Sequence, residues 1–319
     1  MPAPRRSGAR RLIAPAALAA LATASATAPA ALAAQMPDDG FLFPHRQLRV
    51  GVEYGRAQWS EYWEGTLRRT NDNLGTLTTR SAATTLGYGA TRRLSLFAAL
   101  PYVWTRASAG VQQGLSGPQD ATLTAKYRVT RTRLGGRATL GTFAAGAVGL
   151  PASNYAVDFL PLSIGLGSRR ATGRAVAHLQ DRSGLYVEGT GAYTWRGNVR
   201  LDRPAYYTNG RLYSTNEVEM PNVAEYAVAG GYQKGRICVP VAFVTQRTRG
   251  GGDIRRQDMP FVSNRMDFTA LRAHAMYDLR LPQSVILDVG ATRTLSGRNV
   301  GRSTALVAGV AYAFGRPGF

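Results

Sequence analysis

Ala121, Leu123, Ala125, Tyr127 and Val129 alternate with Thr122, Thr124, Lys126 and Arg128. One side of that segment is apolar and the other polar and charged, the period of two that marks a β-strand. The same alternation sets Leu48, Val50, Val52 and Tyr54 against Arg49, Gly51, Glu53 and Gly55, and puts Ile237, Val239, Val241 and Phe243 on one face. Carried along the chain it predicts twelve strands, over 47–56, 76–90, 94–105, 120–129, 136–148, 169–180, 185–195, 222–232, 236–245, 265–278, 284–294 and 303–314. Each approaches the roughly 9–11 residues that a tilted strand needs to cross a bilayer.

The connections sort by parity. Those after the second, fourth, sixth, eighth and tenth strands are short; those after the first, third, fifth, seventh and ninth are long. A soluble sandwich has no reason to sort its loops this way. A transmembrane antiparallel up-and-down barrel does, with short periplasmic turns, long extracellular loops and both termini on the periplasmic side. Closure follows from physics, because lipid offers no partner to a strand edge. The fold expected is therefore all-β, a closed barrel of about twelve strands over residues 47–319. Residues 35–46 form a periplasmic lead, and 130–135 a short basic turn. Tyr54, Tyr88, Tyr102, Tyr193, Trp195 and Tyr312 fall near predicted strand ends, where interfacial aromatics belong.

Composition agrees. The chain is 45% hydrophobic with a mean hydropathy of −0.17, as expected where only every second residue meets lipid. The long apolar run is N-terminal: Arg5, Arg6, Arg10 and Arg11 precede an Ala/Leu stretch that ends in Ala33-Ala34-Gln35. Basic, apolar and small-residue regions in that order predict a cleaved signal peptide over 1–34 and hence export. The charge is 39 Lys+Arg against 19 Asp+Glu, a net +20; without the four leader arginines the balance is 35 against 19. An exported basic chain points to acidic headgroups, lipopolysaccharide phosphates or anionic solutes rather than nucleic acid. Cys238 stands alone, so no disulfide forms within the chain.

Several segments resemble an outer-membrane transporter family named for a meta-cleavage phenol-degradation pathway. They are Gly87-Tyr88-Gly89, Leu94-Ser95-Leu96, Leu100-Pro101-Tyr102, Ala125-Lys126-Tyr127-Arg128, Leu150-Pro151, Gly165-Leu166-Gly167-Ser168 and Ala192-Tyr193. Gly117-Pro118-Gln119-Asp120 stands where that family often carries Gly-x-Gly-Asp. The resemblance implies a barrel that passes small hydrophobic or aromatic compounds. Gly309, Tyr312 and Phe314, with Phe319 at the end, are similar to the C-terminal signal read by barrel-assembly machinery.

Positions opposite the apolar face are expected to line the lumen: Arg49, Glu53, Lys126, Arg128, Arg174, His178, Glu188, Glu225, Arg272, His274 and Asp288. Such side chains either form a charged constriction that selects solutes or pair into a network that plugs the barrel. Small inward residues (Gly51, Gly87, Ala145, Ala242, Gly290) favour open space. No Ser/His signature surrounds His45, His178 or His274. Gly250-Gly251-Gly252-Asp253 lacks the Lys-Ser/Thr of a phosphate loop, so neither catalysis nor a cofactor is expected. A passive channel for small molecules is the expected function. The alternative is a closed barrel that binds a surface partner or lipopolysaccharide through its loops.

Overall fold

The computed structural model describes residues 37–255, 260–279 and 284–315. Among these, twelve long strands form one barrel and there is no helix. The strands are β1 (Leu48–Trp59), β2 (Leu77–Gly89), β3 (Leu94–Ala107), β4 (Asp120–Leu134), β5 (Ala138–Pro151) and β6 (Arg170–Asp181), followed by β7 (Leu185–Arg196), β8 (Asn222–Lys234), β9 (Ile237–Arg249), β10 (Asp267–Asp278), β11 (Val285–Arg298) and β12 (Thr304–Phe314). Each pairs antiparallel with the next. β12 returns to β1 in a continuous register from Leu48↔Phe314 to Gln58↔Thr304, so the sheet closes. Every strand thereby has two partners, which lets an apolar outer wall face lipid without unpaired backbone.

The two faces are inverted relative to a soluble protein. Val52, Val187 and Val228 on the outside are 55%, 59% and 64% exposed. Glu53, Ser95, Lys126, His178, Glu188 and Asp288 point inward and are buried. Tyr88, Tyr232, Tyr277 and Phe314 lie on the outer face near the short-turn end of their strands, where a girdle at a membrane interface would sit. Tyr54 and Tyr102 lie in mid-wall instead, both opposite Ala82, because β1 and β3 run further than the alternation implied.

Strand ends moved where polarity had implied loop or turn. Residues 57–75 are not a plain loop: β1 continues to Trp59, and Glu61–Glu64 pairs with Leu67–Thr70 in a hairpin. β4 runs on through 130–134, past a bulge between Arg128 and Thr130. The β4–β5 turn therefore comes at Gly135 and Gly136, with φ of +52° and +65°. Positive φ at both central positions is the twist-matched hairpin turn that glycine makes without strain.

The largest departure is the lead. Residues 37–46, expected in the periplasm, enter the barrel: Phe43 N donates to Ser95 Oγ at 2.9 Å, and Thr190 Oγ1 donates to the Asp38 carbonyl at 3.2 Å. The segment is acidic and aromatic, and the basic lumen wall offers it partners that solvent cannot match. The expected signal peptide (1–34), Gln35, Met36 and Phe319 lie outside the described residues.

Candidate functional site: the lumen

The eleven polar residues expected to face inward all occupy lumen-facing register positions. Most meet the N-terminal segment or one another. Lys126 is fully buried, with Nζ 2.6 Å from Asp39 Oδ1 and 5.7 Å from the ring centres of both Phe97 and Phe143. A cation this deep is tolerable because a carboxylate and two π faces replace its water. Asp38 Oδ2 lies 3.1 Å from Arg272 Nη1 and 3.5 Å from Arg174 Nη1, and Arg174 also reaches Glu225 at 3.2 Å. His178 pairs with Glu188 at 2.8 Å, and His274 with Asp288 at 3.3 Å. Arg49 stacks 5.0 Å over the Phe43 ring. Glu53 is buried beside Gly309. Arg128 stands apart at the short-turn mouth, where Nη2 donates to the Arg92 carbonyl.

Of the small inward positions, Gly51, Gly87 and Gly290 face occupied space, whereas Ala242 borders a gap in the lumen. A Cβ at Gly87 would run into the Phe43 ring, one at Gly89 into the Pro44 carbonyl, and one at Gly290 into His274. Gly51 is crowded by the Thr85 hydroxyl. Gly87 and Gly89 make room for the inserted chain, not for solute.

A second segment enters from the other end. Within the loop between β5 and β6, Leu160, Leu162 and Ile164 are buried, and Thr105 Oγ1 donates to the Leu162 carbonyl at 2.5 Å. Leu160 packs with Val199, Leu201, Tyr206, Val218 and Met220 of the 197–221 loop and with Phe261 and Val262. That longest loop lies over the opening and is stiffened by two short hairpins, Val199–Arg200 with Glu217–Val218 and Tyr206–Thr208 with Arg211–Tyr213.

Three spaces follow one another down the axis. At the long-loop end a chamber of about 110 Å³ is lined mainly by apolar side chains, among them Trp59, Val103, Ile164, Ile254, Met266 and Phe268. In the short-turn half of the lumen a gap of about 50 Å³ lies between Asp38, Phe41, Tyr186, Thr190, Arg272 and Met276. At the short-turn end a mouth of about 600 Å³ opens past Phe41 and His178 between Arg128, Arg131, Arg133, Arg137 and Arg182. The inserted residues Asp38, Asp39, Phe41 and Phe43, and the last four arginines, were not among the expected lumen set. The Asp38-Asp39 doublet ahead of a basic barrel was the available signal.

Gly309 faces inward, while Tyr312 and Phe314 pack edge to face on the outer wall with ring centres 4.5 Å apart. The aromatic pair is thus presented outward at the short-turn end of the closing strand.

No protein-family model matches this chain, and no curated protein matches it. Among solved structures, an outer membrane channel from Pseudomonas putida F1 superposes with a TM-score of 0.67 at 18% identity, covering 86% of this chain and 98% of its own. Fainter likenesses are the NanC porin (TM-score 0.43, 9% identity, 82% and 98% covered) and the CymD monoaromatic hydrocarbon channel (0.35, 10%, 86% and 90%). The first establishes the fold as that of an outer-membrane β-barrel.

Proposed function

We propose that this chain is an outer-membrane channel for the passive passage of small molecules, with hydrophobic or aromatic compounds as its solute class. The observation that carries this reading is the apolar chamber at the long-loop end of a closed barrel. A polar lumen wall needs no such chamber for stability, and Trp59, Phe268 and Met266 around about 110 Å³ suit a single small ring. The resemblance to the phenol-pathway transporter family supports hydrophobic or aromatic compounds as the solute class. The apolar outer wall and the aromatic girdle support residence in the outer membrane, and the leader sequence supports export to it.

The inserted segment sets the lower constriction. Residues 38–43 narrow the mid-lumen, and a solute that leaves the apolar chamber meets them before it reaches the mouth. The ion pairs that hold them also favour the alternative reading, a closed barrel that works through its loops.

One experiment separates the two. Mature protein, refolded and checked for heat-modifiable migration, is placed in a planar lipid bilayer with benzyl alcohol as blocker. Discrete conductance steps that the alcohol reduces are expected. Silence from folded protein overturns the channel and leaves the closed barrel.

A further inference from the structure

We propose that the arginine-lined mouth at the short-turn end is a recognition site for small organic anions, monocarboxylates with an aromatic or apolar body. This deepens the channel reading by naming the solute chemistry at one mouth, but it concerns binding and is testable without flux.

The first observation is a matter of register. Counted strictly by twos from Lys126 and Arg128, residues Arg131 and Arg133 belong on the outer face. The bulge leaves Val129 unpaired, between Arg128↔Phe143 and Thr130↔Thr142, and so sets Arg131 opposite Gly141 and Arg133 opposite Thr139. Phe143, Gly141 and Thr139 share the lumen side of β5 and line the same mouth, whereas Thr130 and Thr132 do not. A bulge at the rim of a barrel re-aims side chains; this one turns two guanidinium groups inward to join Arg128, Arg137 and Arg182.

The second observation is charge. Arginines deeper in the barrel have carboxylate partners, as Arg174 and Arg272 do on Asp38. Among the described residues no carboxylate pairs with Arg131, Arg133, Arg137 or Arg182. The one acid on the lining, Asp181, is occupied locally: its Oδ1 accepts from Ser183 Oγ at 2.6 Å and from the Gly184 and Leu185 amides at 2.9 and 3.1 Å. Five guanidinium groups against the single Asp181 carboxylate leave the cavity net positive, and guanidinium forks match a carboxylate in two-point contact.

The third is shape. The cavity, about 600 Å³, lies within the range of small-ligand sites. Its inner wall is formed by Phe41, Leu42, Phe143 and His178, an apolar floor beneath a cationic rim. It is concave and continuous with the lumen, which suits a small anion better than the flat face of a partner protein.

The test is isothermal titration of the folded mature protein in detergent with benzoate, with the uncharged isostere benzamide and with inorganic phosphate. Saturable benzoate binding is expected, at least tenfold tighter than benzamide or phosphate. The variant Arg131→Gln/Arg133→Gln should weaken benzoate at least tenfold and leave benzamide unchanged. Should that pair fail to fold, Arg182→Gln, on an exposed turn, should weaken benzoate in the same direction. Equal binding of benzoate and benzamide, or variants that bind as the parent does, would overturn the proposal; phosphate binding tighter than benzoate would overturn its organic half. A silent bilayer with benzoate binding intact would count against the channel alone.

Discussion

The two halves of the lumen are narrowed by different chemistry. From the short-turn end, residues 38–43 are held by charge: Asp39 on Lys126, and Asp38 between Arg174 and Arg272. From the long-loop end, residues 160–164 are held by apolar packing and by hydrogen bonds to backbone carbonyls, such as Thr105 to Leu162. A buried ion pair is geometrically exacting and fails badly when one partner is lost. Apolar packing degrades in small steps. The lower obstruction should therefore release as a unit and the upper one should loosen gradually.

The sharpest way to break this contrast is Lys126→Met. It takes the Lys126 ammonium away from the Asp39 carboxylate, and removal of one partner from a buried pair costs about 3–5 kcal/mol. We expect the Phe43 amide, now bonded to Ser95 Oγ, to lose roughly a hundredfold or more of its hydrogen-exchange protection, while the β1–β12 ladder keeps its own. Loss of protection across the whole barrel would show instead that the segment is part of the folding core.

Thr105→Val tests the other half. It leaves the Leu162 carbonyl without its hydroxyl donor, at a cost of about 1–3 kcal/mol. Increased protease access should appear in residues 152–169 and around Leu115, whose amide donates to the same hydroxyl at 2.9 Å, with residues 38–43 unaffected. Simultaneous loosening of both segments would mean that the halves are coupled.

The smallest effect is one of pH. Asp253, in the loop before β10, receives both Arg298 Nε at 2.7 Å and Nη2 at 2.6 Å, and Asn299 Nδ2 at 2.8 Å. These bonds, Arg298 foremost, outweigh partial burial and hold its carboxyl at about 2 rather than the usual 3.8. A depressed folded value means that the carboxylate contributes to anchoring the loop at any pH above about 3.8, and that the contribution is lost as pH falls through about 2. The pair is partly exposed, so solvent screening keeps the effect small. Proteolysis of the 250–255 stretch should be flat from pH 7 to 4 with an acid-tolerant protease and rise only near pH 2; a rise already at pH 5 would contradict the assignment.

Much of the barrel was legible because its physics is periodic. Alternation located all twelve strands, loop-length parity gave their up-and-down order, and the same alternation placed Lys126, Arg174, His178 and Asp288 on the inner face. What escaped were features without a period. The lead from Asp38 to Phe43 has no alternation to read, and its partners lie on strands far along the chain, 87 residues on for Lys126 and 234 for Arg272. The bulge at Val129 is invisible to counting by twos, so Arg131 and Arg133 read as a turn. Gly87 and Gly290 were readable as space but not as space already taken, by Phe43 and His274.

In the channel proposed above, the lower constriction is the inserted segment rather than the wall. Single-channel conductance of the mature protein should be compared with that of Asp38→Asn/Asp39→Asn, which removes the charges that hold the segment and leaves every barrel strand unaltered. Discrete steps are expected from both proteins and clearly larger ones from the variant, with heat-modifiable migration unchanged. Steps of the same size from a folded variant would place the constriction in the barrel wall and contradict its assignment to the segment.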